Sequence, residues 1–319
     1  LHYLNILQNI IPNCNRKIRY IDEQEELESK SVVLRGSNVT LPYSSVKEIF
    51  KYILKSYSGC RAIFDSYRSY NYFELDMLSN KLASFLREKG LRKGEKLVNY
   101  AEKCIESIIA ILACFKMGIV YIPIDIEWPT SRINYIIDSA KIKFILRIGR
   151  GKNNQNELKG LIIDYPYTSI KNYNDRSPCV HIALHDPAYI IFTSGTTGKP
   201  KGVQVNQEGI INLWQQNQLV KGINTEDRVL QFSSLSFDAL ISELTMSILS
   251  GASLAVVEEK YRRNFSAISN FIVEKEVTIG VFPPHIVGAL PINLMRCVIT
   301  AGEEIDNMEY SKIVSAGCD

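Results

Sequence analysis

Apolar residues recur at helical spacing beyond residue 46, and the segment 71–90 is the clearest case. Asn71 and Glu74 form a capping pair at its start, and Gly90 provides a stop. One face of this predicted helix should pack on a sheet, because it carries Leu75, Leu78, Leu82, Phe85 and Leu86.

Strands and helices alternate along the same region. A strand over 96–100 precedes a helix over 105–118, and we expect Pro123 to end the next strand, over 120–122. Further strands are predicted over 144–148, 189–193, 229–232, 254–257, 278–281 and 298–300. This alternation predicts an α/β fold of mostly parallel sheets flanked by helices, with ligands at the carboxyl ends of the strands.

The amino-terminal segment has a different pattern. Apolar residues over 4–11 predict one short helix, and 23–30 is polar and charged without an apolar period. We interpret 1–42 as a linker or the tail of a preceding domain and 43–319 as the α/β domain. The chain begins with Leu1 and shows no leader segment, so we expect it to be part of a longer polypeptide.

Composition narrows the class of protein. The 37 Lys and Arg residues barely exceed the 34 Asp and Glu residues and are scattered, so no basic surface for nucleic acid is expected. The longest apolar run, 108–115, falls far short of the ~20 residues that span a bilayer. Seven cysteines without a Cys-x-x-Cys motif indicate reduced thiols and a cytoplasmic protein, with Cys104 and Cys114 in the core.

The sequence YIIFTSGTTGKPKG, over 189–202, is the strongest candidate for chemistry. A buried type of strand runs into a loop of glycines, hydroxyls and lysines, which suits polyphosphate. Three glycines should give the loop positive φ angles, and hydroxyls and lysines should bind the anion; the residues concerned are Ser194, Gly195, Thr196, Thr197, Gly198, Lys199, Lys201 and Gly202. The spacing differs from a Walker loop. An ordinary turn between two strands is the alternative.

Within this segment, FTSGTTGKPKG (192–202) resembles the phosphate-loop signature of the adenylate-forming superfamily. Four other segments resemble the adenylation domains of nonribosomal peptide synthetases: YFEL (72–75), FKMGIVYIPID (115–125), WPTSRI (128–133) and FDAL (237–240). The resemblance covers about 46–304 and implies the large N-terminal subdomain of such a domain, incomplete at its carboxyl end. Residues 1–42 resemble the connector that follows a condensation domain.

The resemblance implies that the chain activates an amino acid with ATP and Mg²⁺. Aminoacyl-AMP and pyrophosphate would form first, and the phosphopantetheine thiol of a downstream peptidyl carrier protein would then capture the aminoacyl group. Thr193 and Lys201 would be the catalytic residues, stabilising the departing pyrophosphate. Gly302 and Glu303 would flank the adenine, although a Gly-Glu turn after a strand is also common.

Asp238 opens an otherwise apolar stretch, 237–249. By resemblance its carboxylate pairs with the α-ammonium group of the substrate, whereas helix capping is the alternative that the spacing permits. The remaining pocket positions implied by resemblance are Ala239, Ser242, Val281, Ile299 and Ala301. Their size and polarity suit a hydrophobic or aromatic side chain, such as that of phenylalanine or tyrosine.

Several expected features are missing before Asp319, including the Tyr-Gly-Pro-Thr-Glu stretch and the catalytic lysine of the family. We therefore expect the chain alone to be weakly active or inactive. A coenzyme A ligase of the same superfamily and a non-catalytic docking fragment remain alternatives. Gly149 to Gly151 is interpreted as a surface loop, and no metal site is predicted at His181 and His185, because the sequence between and around them does not favour a helix.

Overall fold

The computed structural model describes residues 41–149, 158–193, 199–261, 264–305, 311 and 313. In this part of the chain the helices are α1 (Val46–Tyr57), α2 (Tyr72–Glu88), α3 (Ile105–Met117), α4 (Thr130–Ser139), α5 (Gln207–Lys221), α6 (Ala239–Met246), α7 (Phe265–Lys275) and α8 (Pro284–Val287). The strands are β1 (Arg61–Phe64), β2 (Ser69–Asn71), β3 (Lys96–Ala101), β4 (Val120–Asp125), β5 (Phe144–Ile148), β6 (Leu161–Asp164), β7 (Pro187–Thr193), β8 (Lys201–Asn206), β9 (Arg228–Gln231), β10 (Ser253–Val256), β11 (Ile279–Phe282) and β12 (Cys297–Thr300).

These strands form two six-stranded sheets. The first sheet has the order β12-β11-β9-β10-β1-β2, and the second has the order β6-β5-β3-β4-β7-β8. Neighbouring strands are parallel except in the pairs β1 with β2 and β7 with β8, which are antiparallel. The predicted α/β fold of mostly parallel sheets flanked by helices is confirmed.

Helices separate the two sheets. One hydrophobic cluster contains buried residues of both sheets together with α1, α2, α3, α5 and α6. The outer face of the first sheet packs on α7 and α8, and the outer face of the second sheet packs on α4. Because a parallel strand needs a crossover helix before the next strand, this layering brings the carboxyl ends of neighbouring strands to one edge of each sheet.

Local sequence signals explain several element ends. Asn71 and Glu74 form the predicted capping box of α2, each side chain accepting a hydrogen bond from the other's backbone N–H at 2.8 Å. Gly118 adopts φ +66° directly after α3, a conformation that glycine adopts without a steric penalty.

Pro123 does not end its strand, so that prediction was wrong. It lies inside β4 opposite Asn99 of β3, and β4 continues to Asp125. On its other side β4 pairs with β7 only through Tyr121 and Tyr189. The ladder has therefore already lapsed on that side at Pro123, where the missing N–H costs little.

Among the described helices, none is long and apolar enough to cross a membrane.

Candidate functional site

Asp238 lies at the start of α6 but does not cap it. Its side chain makes no capping hydrogen bond, whereas its backbone carbonyl accepts from Ile241 N at 2.9 Å. The residue is exposed, as is the adjacent Phe237. The capping alternative is therefore not realised, and the carboxylate is free of the role that most often explains an Asp at this position.

The predicted pocket positions lie on α6, β11 and β12. Val281 and Ile299 pair in register across these two strands, and both belong to the cluster that contains the apolar face of α6. Ala239 and Ser242 are half-buried on α6, which contacts β11, and the exposed Ala301 follows β12. The six positions thus come from adjoining elements at the carboxyl edge of the first sheet.

Tyr189 links this edge to the second sheet. It lies on β7 and is buried, and the Asp238 carboxylate acts on its hydroxyl electrostatically. Burial, and to a smaller extent the negative charge of Asp238, raises the pKa of Tyr189 to about 12. Asp238 therefore faces the strand that carries the phosphate-loop signature.

Thr193 and Lys201 flank the signature loop. Thr193 is the last residue of β7 and pairs with Lys201, the first residue of β8, and both are exposed. Lys199 is also exposed, just ahead of β8. The predicted phosphate-binding residues Ser194, Gly195, Thr196, Thr197 and Gly198 lie outside the described residues. The part that is described is the base of an antiparallel hairpin bearing a hydroxyl and an ammonium group side by side.

Gly202 does not have the positive φ that the sequence predicted. It lies in β8 opposite Phe192, and a Cβ atom there would lie 3.0 Å from the Phe192 ring and 3.1 Å from Ile190 Cγ2. A larger residue at this position would crowd two bulky β7 side chains, so the glycine is explained by close packing and not by a turn of the backbone.

Gly302 and Glu303 follow β12, as expected for a turn at the carboxyl edge. Gly302 adopts φ +96°, and Glu303 Oε2 lies 2.8 Å from Nδ1 of His285, which belongs to α8 after β11. Both side chains are exposed. The pair connects the ends of two neighbouring strands, a contact that the sequence did not predict.

Glu243 is a buried acid that sequence reasoning missed. It lies on α6 with no exposed surface, and its Oε1 accepts hydrogen bonds from Phe232 N at 3.1 Å and Ser233 N at 2.8 Å. The Ser233 hydroxyl donates to the same oxygen at 2.7 Å. Burial raises the pKa of Glu243 to about 7, and the hydrogen bonds and the charge of Lys103 oppose that rise. A lone carboxylate in the apolar run 240–249 was the available signal.

Lys103 approaches the same turn from the second sheet. It lies between β3 and α3, is 4% exposed, and donates to the carbonyl of Phe232 at 2.6 Å. Its ammonium group also lies 5.6 Å from the centroid of the Phe232 ring. The connection from β9 to α6 is thus held by a buried acid of α6 and by a buried lysine that follows β3 of the second sheet.

Two of the resemblance segments prove to be structural. Tyr72 is fully buried, and its hydroxyl donates to the carbonyl of Ala252 at 2.6 Å. Lys116, in the FKMG segment, is 2% exposed and donates to Asp76 Oδ1 at 2.6 Å. Burial lowers the pKa of Lys116 to about 8, although Asp76 opposes that effect. These residues connect α2 and α3 with the rest of the core.

A cleft of about 660 Å³ lies at the opposite edge of the first sheet and contains none of the predicted site residues. Its lining comes from the amino ends of the strands and the turns that precede them, namely Arg61, Thr225, Glu226, Arg228, Ser253, Glu276 and Thr278. Parallel sheets place ligands at the carboxyl edge, so the cleft is not the counterpart of the predicted site.

The described residues contain no group of three or more His, Cys, Asp or Glu side chains arranged to hold a metal ion. His181 and His185 lie in a loop, and His185 Nδ1 is 3.2 Å from Glu208 Oε2.

Known proteins provide the family. Residues 51–313 match the family described as AMP-binding enzyme. Tyrocidine synthase 1 of Brevibacillus parabrevis is 35% identical over 297 residues, covering 88% of this chain and 26% of that protein. Gramicidin S synthase 1 of Brevibacillus brevis is 35% identical over 238 residues, covering 72% of the chain and 22% of the relative. The chain therefore spans about a quarter of the length of these synthetases.

Solved structures agree on the fold. A nonribosomal peptide synthetase, FmoA3, in its AMPPNP-bound form superposes with a TM-score of 0.81 at 22% identity, covering 92% of this chain and 32% of that one. The N-terminal subdomain of Klebsiella oxytoca NpsA, in complex with 3-hydroxyanthranilyl-AMSN, superposes with a TM-score of 0.76 at 25% identity, covering 89% of this chain and 73% of that one.

The family match extends from α1 to the end of the described chain and includes both the hairpin with the GTTGK loop and the Asp238 edge. The chain belongs to the AMP-binding, adenylate-forming enzyme family, in which it resembles the adenylation domains of nonribosomal peptide synthetases.

Proposed function

We propose that this chain activates an α-amino acid with ATP. The amino-acid carboxylate attacks the α-phosphorus, the bond from that phosphorus to the bridging oxygen breaks, and pyrophosphate leaves with the electron pair. The observation that carries the proposal is Asp238, an exposed carboxylate that makes no capping hydrogen bond at the start of α6, the helix that contacts β11. An exposed carboxylate suits a substrate ammonium group, and the apolar Val281 and Ile299 of β11 and β12 suit an apolar side chain.

Lys201 and Thr193 have the chemistry to bind the phosphates. The two exposed residues are register partners across the hairpin where the glycine-rich loop begins. We propose that they stabilise the negative charge that develops on the leaving pyrophosphate, with the loop 194–198 contributing further donors. Mg²⁺ would enter with ATP and take phosphate oxygens as ligands, since this ion prefers substrate phosphates and few carboxylates.

The proposed substrate is a hydrophobic or aromatic amino acid. Val281 and Ile299 are apolar, and Ala239 and Ser242 of α6 are small and half-buried. Residues of this size and polarity suit a side chain such as that of phenylalanine or tyrosine, and the Ser242 hydroxyl would suit a polar tip.

We infer that 43–319 forms part of the large subdomain of an adenylation domain and that 1–42 connects it to a condensation domain. The compact unit that begins at Leu41 and the family match from residue 51 support this boundary. A downstream carrier protein would receive the aminoacyl group on its phosphopantetheine thiol. The 319-residue chain by itself should be weakly active or inactive.

Exchange of pyrophosphate into ATP tests the proposal. We would assay the twenty amino acids with the 319-residue chain and with the chain extended through its natural downstream sequence. We expect exchange with one or a few amino acids in the extended chain, and Asp238→Ala should lower it by about 30-fold or more, because the α-ammonium group loses its partner. Asp138→Asn, an exposed carboxylate paired with Lys159 on the surface, serves as the control.

Two other outcomes would overturn the assignment. Activation of acids without an α-amino group, unaffected by Asp238→Ala, would indicate a coenzyme A ligase. Silence with every amino acid in both forms, together with no affinity for ATP, would indicate a docking fragment.

A further inference from the structure

The connection from β9 to α6 carries Asp238 at the end that joins the helix. We call residues 232–238 the aspartate loop. Ser234, Leu235 and Ser236 are buried, and the hydroxyls of Ser234 and Ser236 lie 3.0 Å apart. The loop then turns, with Phe237 N donating to Ser234 O at 3.1 Å, and reaches the exposed Asp238. The position of Asp238 therefore depends on the first turn of α6, to which its carbonyl is hydrogen-bonded, and on what holds the buried base of the loop.

Two buried charges hold that base. Glu243 Oε1 accepts both backbone N–H groups of Phe232 and Ser233, and Lys103 donates to the Phe232 carbonyl on the other side of the same turn. Each is fully or almost fully buried, at 0% and 4% exposed. The Phe232 ring in turn packs edge-on against Phe282 of β11, with 5.2 Å between centroids. One turn is thereby fixed by the helix that follows it, by the neighbouring strand and by the second sheet.

Burying the Glu243 carboxylate lowers the stability of the fold unless its hydrogen bonds offset the loss of hydration. Moving a carboxylate out of water carries a large penalty, which only charge-assisted hydrogen bonds and a nearby cation offset. The Glu243 carboxylate accepts its hydrogen bonds from the loop that precedes its own helix. Glu243 lies one turn of α6 after Asp238 and Ala239. An apolar residue would pack α6 equally well but would leave the N–H groups of Phe232 and Ser233 without acceptors.

We propose that Glu243 and Lys103 are positioning residues for amino-acid recognition, holding the aspartate loop so that the Asp238 carboxylate meets the substrate's α-ammonium group. The proposal rests on the proposed function, and it adds two residues that do not touch the substrate. Because both residues bind the turn of Phe232 and Ser233 that leads to Asp238, their loss should affect the KM for the amino acid more than the KM for the nucleotide.

Glu243→Gln tests this with the extended chain in the pyrophosphate exchange assay. The amide keeps the shape and the Oε1 acceptor but removes the charge and weakens the three hydrogen bonds. We expect KM for the amino acid to rise about tenfold while KM for ATP changes by less than about twofold. Lys103→Gln removes the hydrogen bond from the other side of the same turn, so it should also raise the KM for the amino acid and leave the KM for ATP nearly unchanged. This variant tests the proposal if Glu243→Gln does not fold.

Asp76→Asn is the matched control. It also removes a carboxylate paired with a buried lysine, Lys116, but that pair joins α2 to the end of α3, at the amino edge of the second sheet. It should lower stability without splitting the two KM values. Two results would overturn the proposal. In the first, Glu243→Gln and Lys103→Gln leave the KM for the amino acid unchanged. In the second, they raise the KM for the amino acid and the KM for ATP by the same factor. Silence of the unmodified extended chain would instead refute the proposed function itself, and the positioning role with it.

Discussion

The buried acid Glu243 should make the stability of the fold depend on pH in a predictable direction. Its pKa is about 7 in the folded chain, against an ordinary value of 4.5. The folded state thus binds this proton more tightly than the unfolded state does. The associated stability is fully present below pH 4.5 and is lost as the pH rises through 7, so the carboxylate destabilises the folded chain above neutrality.

The magnitude follows from the two pKa values. At ~1.36 kcal/mol per pH unit, the complete effect is about 3 kcal/mol. Between pH 5 and pH 8 the measurable part is about 2–3 kcal/mol, because the unfolded group is already partly ionised at pH 5. Glu243→Gln cannot titrate, so the free energy of unfolding of the unmodified chain should fall by about 2–3 kcal/mol more than that of the variant across this range.

Urea denaturation at pH 5 and pH 8, followed by circular dichroism, measures both free energies. Ser247→Ala is the matched control, because Ser247 ends the same helix and its hydroxyl donates to the Glu243 carbonyl at 2.6 Å, yet it does not titrate between pH 5 and pH 8. Ser247→Ala should lower the free energy of unfolding by the same amount at pH 5 and at pH 8. If Glu243→Gln also shifted the free energy of unfolding equally at both pH values, Glu243 would not have a raised pKa in the folded chain.

Two further predictions concern the free energy of unfolding, which urea or thermal denaturation measures. Gly202→Ala should lower the free energy of unfolding by about 1–3 kcal/mol, because the new Cβ meets Phe192 and Ile190 across the hairpin. Asp227→Asn should lower it by about 3 kcal/mol, since Asp227 is buried and accepts two hydrogen bonds from Arg296, at 3.1 and 2.7 Å.

Each of these two stability predictions has its own control variant. Gly59→Ala adds a methyl group where no atom lies within 4 Å and should change stability little. Asp138→Asn breaks an exposed pair with Lys159 and should cost less than about 1 kcal/mol. If Gly202→Ala matched Gly59→Ala, the proposed crowding under Phe192 would be wrong. An Asp227→Asn variant as stable as Asp138→Asn would mean that the buried pair contributes no more than a surface one.

Local signals in the sequence determined α2, α3 and most of the parallel strands. The capping box of Asn71 and Glu74 and the glycine at 118 act within a few residues of one another, so the chain's own order reveals them. The same holds for the apolar runs that became β3, β5 and β7. The family resemblance supplied the roles proposed for Asp238 and Lys201, which local patterns alone left open.

Tertiary structure decided what depends on distant partners. Pro123 continues its strand because pairing with β7 has lapsed beside it, and Gly202 lies where a Cβ atom would crowd Phe192 across the hairpin. Glu243 and Lys103 are 140 residues apart in the sequence, and they hold one turn only because α6 and the β3–α3 connection meet there. Burial and hydrogen-bond partners of this kind arise between elements, so no pattern within a single element could have predicted them.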